Sequence, residues 1–176
     1  MPVEPDILER ARRIKLLLMD CDGVLTDGRL WLMTDGDEQK TFHTRDGQGI
    51  SLFHGAGLRT GIISGRTSTA LERRAQDLKM SFVRQSAKDK IKALEEILAE
   101  AGVTAAECAF IGDDLPDIPV MRRVALGFAV ADAADETRQA AHYVTARPGG
   151  HGAVREVIDL ILKAQGRWDE LLRRYD

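Results

Sequence analysis

The chain has 176 residues, of which 44% are hydrophobic, 30% charged and 5% aromatic, with a formal net charge of −3. This composition is typical of one globular domain and excludes a disordered or fibrous protein. The negative charge and the scarcity of aromatic side chains argue against nucleic-acid binding. The longest apolar run, Leu16–Met19, is far shorter than the roughly 20 residues that a membrane span needs. We therefore expect a single soluble domain, 1–176, that binds neither nucleic acid nor a membrane.

Two further features predict a cytoplasmic protein. Cys21 and Cys108 are too few for a disulfide framework and are expected to be buried thiols in a reducing compartment. Residues 1–13 alternate acids and arginines, and they lack the apolar core of a signal peptide.

Six short, mainly apolar runs predict the strands of one sheet. Each has the length of a strand, and apolar runs of this kind are typical of parallel strands that helices cover on both faces. In chain order, the runs are Ile14–Met19, Thr60–Ile63, Ser81–Val83, Cys108–Ile111, Leu126–Val130 and His142–Val144.

Amphipathic helical patterns lie between these runs. Thr67 or Ser68 is placed to cap a helix after the second run. Apolar residues at helical spacing predict another helix over 91–101, which Gly102 is placed to end, and a last long helix that stops near Gly166. Strands that alternate with helices predict a doubly wound α/β fold, a Rossmann-like parallel sheet with right-handed crossovers.

One segment, about 29–44, departs from this alternation. An Asp-Gly pair at 35–36 stands between two short strand-like runs, which is typical of a β-hairpin. The hairpin is therefore predicted as an insertion directly after the first strand. Its apolar side chains Trp31 and Met33 either pack on their own domain or are covered by another subunit, and the pattern leaves both possibilities open.

Polar side chains follow four successive strands of the predicted sheet. Because ligands bind at the carboxyl ends of the strands in doubly wound folds, we expect these side chains to share one site. They are Asp20 and Asp22 after the first strand, Ser64 and Arg66 after the second, Lys90 after the third, and Asp113, Asp114 and Asp117 after the fourth.

Carboxylates gathered at one edge of a sheet repel one another unless a cation neutralises them. Hard oxygen ligands favour Mg²⁺, which usually completes its coordination with a substrate phosphate. The two-residue spacing of Asp20 and Asp22 suits a nucleophilic carboxylate beside a general acid/base. The Ser64 hydroxyl, Lys90 and backbone amides would hold the phosphoryl oxygens. The residues therefore predict phosphoryl transfer through an aspartyl-phosphate on Asp20.

Four segments resemble the motifs of the haloacid dehalogenase superfamily of phosphatases. They are Asp20–Thr26, Ser64, Lys90 and Gly112–Asp114. The resemblance covers most of the chain and implies this superfamily's fold without a large cap domain. Lys88 is an alternative for the motif lysine, but Lys90 follows Asp89 in the Asp-Lys form that the motif usually takes.

The same resemblance implies a role for each motif residue. Asp20 would be the nucleophile, Asp22 the acid/base, and Ser64 and Lys90 would hold the phosphate. The ligands of Mg²⁺ would be Asp20, the main-chain carbonyl of Asp22, and Asp113. Asp114 and Asp117 would support the metal site.

Longer stretches resemble one cap-less branch of this superfamily, which hydrolyses 3-deoxy-D-manno-octulosonate 8-phosphate (KDO 8-phosphate). The stretches are Asp22–Gly28, Phe42–Ile50, Gly112–Asp117 and Gly149–Glu156. The resemblance implies an acidic sugar phosphate as substrate, a role in lipopolysaccharide biosynthesis, and a homotetramer whose inserted hairpins pack together and whose subunits help to close a neighbour's site. It places substrate contacts on Asp22, His43, Thr44, Arg45, Asp46, Gly47, Arg66, Arg74 and Lys90.

Three points stay open in the sequence. Ser51 stands where many members of this branch have a basic residue, which leaves a related nonulosonate 9-phosphate possible as the substrate. A phospho-acceptor signalling domain is a non-enzymatic alternative, although Asp22, two residues after Asp20, favours turnover over a lasting phosphoryl mark. The C-terminal stretch, about 148–176, either folds over the site through its glycines or forms a loop into the last helix, followed by a short tail helix.

Overall fold

Six parallel strands form the central sheet that the apolar runs predict. The computed structural model of the protein describes residues 3–34 and 38–175. The strands of this sheet are β1 (Leu16–Met19), β4 (Arg59–Ile63), β5 (Phe82–Arg84), β6 (Cys108–Gly112), β7 (Leu126–Ala129) and β8 (Tyr143–Val144). A separate antiparallel hairpin consists of β2 (Trp31–Leu32) and β3 (Glu38–Gln39). The predicted fold class, a doubly wound α/β sheet with an inserted hairpin, is confirmed.

The order of the strands determines where a ligand can bind. The order is β5-β4-β1-β6-β7-β8, and every neighbouring pair is parallel. The chain therefore builds one half of the sheet outward from β1 and then returns to β1 to build the other half. The crevice at such a reversal point is where doubly wound folds bind ligands. The polar residues that follow β1, β4 and β6 lie at this point.

Eight α-helices flank the sheet in the described part of the chain. They are α1 (Pro5–Arg12), α2 (Thr44–Gly55), α3 (Thr69–Asp77), α4 (Lys90–Ala101), α5 (Ile118–Met121), α6 (Asp135–Ala140), α7 (Ala153–Ala164) and α8 (Trp168–Leu172). Of the two predicted caps for α3, Ser68 is the one used, since its hydroxyl accepts a hydrogen bond from the Leu71 amide at 3.3 Å. Gly102 ends α4 in the left-handed conformation, with φ of 63°.

Helix α2 is not apparent from the sequence pattern, which extends the second strand of the hairpin to Thr44. The structure ends β3 at Gln39 and begins α2 at Thr44, where the His43 side chain caps the helix. Three glycines lower the intrinsic helical propensity of α2. One of them, Gly49, lies so close to α7 that an added Cβ would be 2.9 Å from the Arg155 Cδ atom. Packing against α7 therefore explains both the helix and its glycines.

The hairpin projects its apolar residues into solvent. Trp31 pairs with Gln39 and Leu32 with Glu38, while the predicted turn at 35–36 lies outside the described residues. Trp31 is 59% exposed and Met33 is 46% exposed, and Leu32 between them is 76% exposed. The possibility that these side chains pack on their own domain is therefore not supported.

The glycine-rich loop before α7 packs against the loop after β1. The Gly150 amide donates to the Val24 carbonyl at 2.9 Å, and a Cβ on Gly149 would lie 1.7 Å from the Gly23 carbonyl oxygen. Of the two interpretations of the stretch 148–176, the structure therefore favours the loop into the last helix. Helix α7 lies in the core against α1 and α2.

Both cysteines of the chain lie in the interior. Cys21 and Cys108 are both free and buried, as predicted. No helix within 3–34 and 38–175 is long and apolar enough to cross a membrane.

Candidate active site

A cleft of about 790 Å³ opens at the carboxyl ends of β1, β4 and β6. All eight polar residues that the sequence places after the strands line it, including Asp114 and Asp117. The other six are Asp20, Asp22, Ser64, Arg66, Lys90 and Asp113. Residues distant in the sequence therefore meet at the predicted edge of the sheet.

Asp20 follows β1 directly and lies at the centre of this cleft. Its Oδ1 atom accepts a hydrogen bond from the Cys21 amide at 2.7 Å, and its Oδ2 atom is 3.1 Å from the Lys90 ammonium. Burial and the nearby charge of Asp117 raise the pKa of Asp20 to about 6, although Lys90 and the Cys21 amide act in the opposite direction. Near neutral pH this carboxyl group is therefore mostly ionised and is held in one orientation.

Lys90, at the start of α4, is the lysine that the structure brings into the site. Its ammonium lies 2.7 Å from Asp117 Oδ1 as well as 3.1 Å from Asp20. Burial on its own would lower the pKa of Lys90, but the two carboxylates outweigh it and raise the pKa. Lys88, the alternative, is exposed at the rim of the cleft. The geometry thus favours Lys90 as the lysine of the motif.

Asp117 is buried and supports its neighbours through both of its oxygens. Oδ1 contacts Lys90, and Oδ2 accepts hydrogen bonds from the amides of Asp113 and Asp114 at 3.0 and 3.3 Å. Asp114 is exposed, and its side chain accepts from the Leu115 amide. With its oxygens already engaged, Asp117 serves to fix the loop after β6.

Asp113 has an oxygen that the described residues leave without a partner. Its Oδ1 atom is buried and has no hydrogen-bond partner among them. Burial and the charges of Asp117, Asp20 and Asp114 raise the pKa of Asp113 to about 8. A buried carboxylate oxygen without a donor needs a proton or a cation.

Three carboxylates in the described chain lie close enough together to hold a metal ion. One oxygen from each of Asp20, Asp113 and Asp117 falls within 4.8 Å of the others. Because the donors are all hard oxygens and one of them lacks a partner, the cluster fits Mg²⁺. Asp20 and Asp113 are the better ligands, since Asp117 is committed to Lys90 and two amides.

Asp22 lies on the other side of the cleft, beside the hairpin. Its Oδ1 atom is in direct contact with the ammonium of Lys40, and its Oδ2 atom is 3.6 Å from Arg66 Nε. Glu38 completes this group of charged side chains. Its carboxylate lies 3.0 Å from the Lys40 ammonium and 2.7 Å from Arg66 Nη2. Lys40 and Glu38 were not identified from the sequence. They are two residues apart in the predicted hairpin, and side chains at that spacing lie on the same face of a strand. This spacing could have indicated that the two act together.

The predicted substrate residues around α2 do not line this cleft in their own chain. Residues 43–45 form the cap and first turn of α2, and Arg74 stacks its guanidinium over the Phe42 ring at 5.7 Å. Gly47 makes room for Arg74, since an added Cβ would be 2.4 Å from its Nη2 atom. These residues form a second surface apart from the carboxylates.

Asp46 is buried and anchors α2 to α7. Its two oxygens accept hydrogen bonds from the amides of Gly152, at 3.2 Å, and Arg155, at 2.8 Å. Ser51, the departure from the family pattern, donates its hydroxyl to the Gly47 carbonyl and lies on the exposed face of α2, outside the cleft.

Comparison with known proteins connects this geometry to a family. A family model for haloacid dehalogenase-like hydrolases matches residues 79–158. A curated 3-deoxy-D-manno-octulosonate 8-phosphate phosphatase from Yersinia pestis, KdsC, is 45% identical over 166 residues, which are 94% of this chain and 89% of the relative. The chain belongs to the haloacid dehalogenase-like hydrolases.

Solved structures agree with this assignment. A probable YrbI family phosphatase from Pseudomonas syringae has a TM-score of 0.95 and 48% identity, with 98% of both chains covered. A 3-deoxy-D-manno-octulosonate 8-phosphate phosphatase from Moraxella catarrhalis, in complex with magnesium, phosphate and KDO, has a TM-score of 0.94 and 39% identity, with 97% of this chain and 98% of that chain covered. The predicted membership of the haloacid dehalogenase superfamily is confirmed. Since the family consists of hydrolases, the alternative of a phospho-acceptor signalling domain is not supported.

The raised pKa values of this hydrolase predict a pH-dependent affinity for Mg²⁺. The metal binds the ionised carboxylates, so protons compete with it at Asp113, whose pKa is about 8, and at Asp20, whose pKa is about 6. We expect the affinity to rise by about 10- to 100-fold between pH 6 and pH 8. Calorimetric titration with MgCl₂ in two buffers of different ionisation enthalpy measures both the affinity and the proton release. An affinity that is flat across this range would contradict the assignment of Asp113 as a ligand.

Gly23, in the loop after β1, is predicted to be essential for the metal site. It has a φ of +82°, and a Cβ there would lie 2.1 Å from Asp113 Oδ2. Gly23→Ala should therefore displace Asp113 and weaken Mg²⁺ binding by about 10- to 100-fold. Gly57→Ala is the matched control, because Gly57 has a similar φ of +75° with no heavy atom within 4 Å. That control should lose only about 1–2 kcal/mol of stability through backbone strain and keep its Mg²⁺ affinity in the same titration.

Proposed function

We propose that this protein is a Mg²⁺-dependent phosphatase that hydrolyses KDO 8-phosphate to KDO and inorganic phosphate through an aspartyl-phosphate intermediate. The observation that carries the proposal is the meeting of Asp20, Asp22, Lys90 and Asp113 in one cleft. The chain is also 45% identical, over nearly its full length, to the phosphatase of that name from Yersinia pestis.

Asp20 is the nucleophile in this proposal. Its Oδ1 atom is fixed by the Cys21 amide and its carboxyl group is mostly ionised near neutral pH. One of its oxygens forms a bond to phosphorus while the bond between phosphorus and the sugar oxygen breaks. Lys90 and the buried Ser64 hydroxyl hold the charged phosphoryl oxygens during this displacement.

Asp22 carries the proton in both half-reactions. In the first it protonates the departing sugar alkoxide, and in the second its carboxylate removes a proton from the water that attacks phosphorus. The bond between phosphorus and Asp20 then breaks, which releases phosphate and restores the carboxylate. The Asp22 side chain lines the same cleft as Asp20 and Lys90.

Mg²⁺ would be held by Asp20, Asp113 and the main-chain carbonyl of Asp22. When bound, it neutralises the clustered carboxylates and the phosphoryl charge. Asp117 keeps Asp113 and Lys90 in place through the contacts described above.

The exposed hairpin supports a homotetramer as part of the proposal. Leu30, Trp31, Leu32 and Met33 form one continuous exposed apolar run, and such runs usually mark contact surfaces. In this arrangement His43, Thr44, Arg45 and Arg74 would reach the sugar acid in a neighbouring subunit's cleft, where arginine forks suit a carboxylate. Asp46 and Gly47 would act on that surface indirectly, because Asp46 anchors α2 and Gly47 admits Arg74.

Replacing the nucleophile tests the proposed chemistry. Asp20→Asn should lower the rate of KDO 8-phosphate hydrolysis by at least about 10³-fold, because the amide cannot form the aspartyl-phosphate. The control Asp77→Asn changes an exposed carboxylate at the end of α3 and should leave the rate unchanged. A panel with a nonulosonate 9-phosphate and glucose 6-phosphate tests the substrate. A higher kcat/KM for either of them than for KDO 8-phosphate would overturn the proposed specificity.

Replacing Trp31 tests the assembly. Trp31→Asp places a charge in the exposed apolar run, so it should shift the elution volume in size-exclusion chromatography from a tetramer to smaller species. Leu172→Asp is the control, since Leu172 is also exposed but lies in α8. If the variants elute together as tetramers, the hairpin is not the assembly surface.

A further inference from the structure

The hairpin carries a buried lysine to the catalytic cleft. Lys40 follows β3, and its side chain is only 1% exposed. Its ammonium contacts Asp22 Oδ1 directly and lies 3.0 Å from Glu38 Oε1. Neither Lys40 nor Glu38 belongs to the motif segments that the sequence singled out, so their place beside Asp22 needs its own explanation.

Arg66 closes these contacts into a ring of alternating charges. Its Nη2 atom is 2.7 Å from Glu38 Oε2, and its Nε atom is 3.6 Å from Asp22 Oδ2. Hydrogen bonds from Arg66 and Lys40 outweigh burial and lower the pKa of Glu38 to about 2. Asp22 and Glu38 each lie beside both Lys40 and Arg66, so the two negative and two positive charges cancel.

Stability alone is a poor explanation for this ring. Burying a lysine ammonium is unfavourable, and a buried ion pair is often no more stabilising than apolar side chains of the same volume. The hairpin is otherwise apolar and exposed at Leu30–Met33. A buried lysine that faces Asp22 in such a hairpin therefore points to a role in the reaction.

We propose that Lys40 is a positioning residue for Asp22, and that the hairpin thereby completes the acid/base group of its own chain. This inference rests on the proposed function. Asp22 and Arg66 line the cleft, whereas Lys40 lies behind Asp22 and is not part of the lining. Lys40 therefore acts through Asp22: it holds Oδ1, which directs the rest of the carboxyl group toward the leaving oxygen of the substrate.

The dependence on the leaving group distinguishes positioning from a general structural defect. A sugar alkoxide needs a proton to depart, whereas 4-nitrophenolate departs readily without one. The ratio kcat/KM reports the steps up to phosphoryl transfer, so it isolates the acid step. Lys40→Met should lower kcat/KM for KDO 8-phosphate by about tenfold or more and for 4-nitrophenyl phosphate by less than about threefold. Lys40→Arg, which keeps the charge, should restore part of the loss.

Lys15→Met is the matched control for removing a lysine from an ion pair. Lys15 pairs with Glu107 at 2.5 Å, far from the cleft, and its side chain is largely exposed. This variant should hydrolyse both substrates at the parent rate. If Lys40→Met lowers kcat/KM equally for both substrates, or for neither, the positioning role is wrong.

A double-mutant cycle tests whether Lys40 acts through Asp22. In an Asp22→Asn background, Lys40→Met should cause little further loss, because residues that act as a unit are not additive. A full additional loss would show that Lys40 acts independently of Asp22 and would overturn the inference.

Two further measurements cover a variant that does not fold and a substrate that is wrongly assigned. If Lys40→Met alone does not fold, as judged by thermal unfolding, Lys40→Met combined with Glu38→Gln removes both charges and should give the same selective loss. If the parent enzyme hydrolyses 4-nitrophenyl phosphate and simple alkyl phosphates but not KDO 8-phosphate, the proposed substrate is wrong. The comparison of alkyl with aryl phosphates then still decides the role of Lys40.

Discussion

The candidate active site depends on one constraint, the mutual repulsion of carboxylates at one edge of the sheet. Asp20, Asp113 and Asp117 bring one oxygen each within 4.8 Å of the others, in a partly buried cleft where solvent screens little. Burial, together with the negative charge that Lys90 does not fully balance, raises the pKa values of Asp20 and Asp113. A divalent cation bound by these carboxylates would offset the excess of negative charge, and the anionic phosphoryl group would then bind to the cation and to Lys90. The carboxylates that repel one another thus give the cleft its affinity for Mg²⁺.

The loops around the cleft are shaped by this arrangement. Gly23 has no side chain, and so the loop after β1 can approach Asp113 closely. Because Gly149 has no side chain, the loop before α7 packs directly against the Gly23 carbonyl. The backbone that carries Asp20 and Asp22 is therefore held between Asp113 on one side and the glycine-rich loop on the other. Such packing fixes catalytic groups without any contact to substrate.

The hairpin combines two properties that a small cap-less hydrolase needs. Its apolar residues face outward and suit association with other copies of the chain, while Glu38 and Lys40 face inward and meet Asp22 and Arg66. One short insertion thereby links the surface proposed for assembly to Asp22, the proposed acid/base group. Residues 43–45 and Arg74 lie on a surface apart from the carboxylates of their own chain, which fits a site that a neighbour completes.

The fold class, the positions of the six central strands and the set of groups at their carboxyl ends could be predicted from the sequence. Those features depend on local periodicity and on the rule that ligands bind where parallel strands end. Tertiary structure alone decided the rest. Helix α2 forms despite its glycines because α7 packs against it, Asp117 is committed to Lys90 and two amides, and Lys40 reaches Asp22 from 18 positions away. Contacts between distant segments leave no period in a single chain. The alternation of Glu38 and Lys40 indicates that they share one face of the hairpin strand, but it does not indicate that this face meets Asp22.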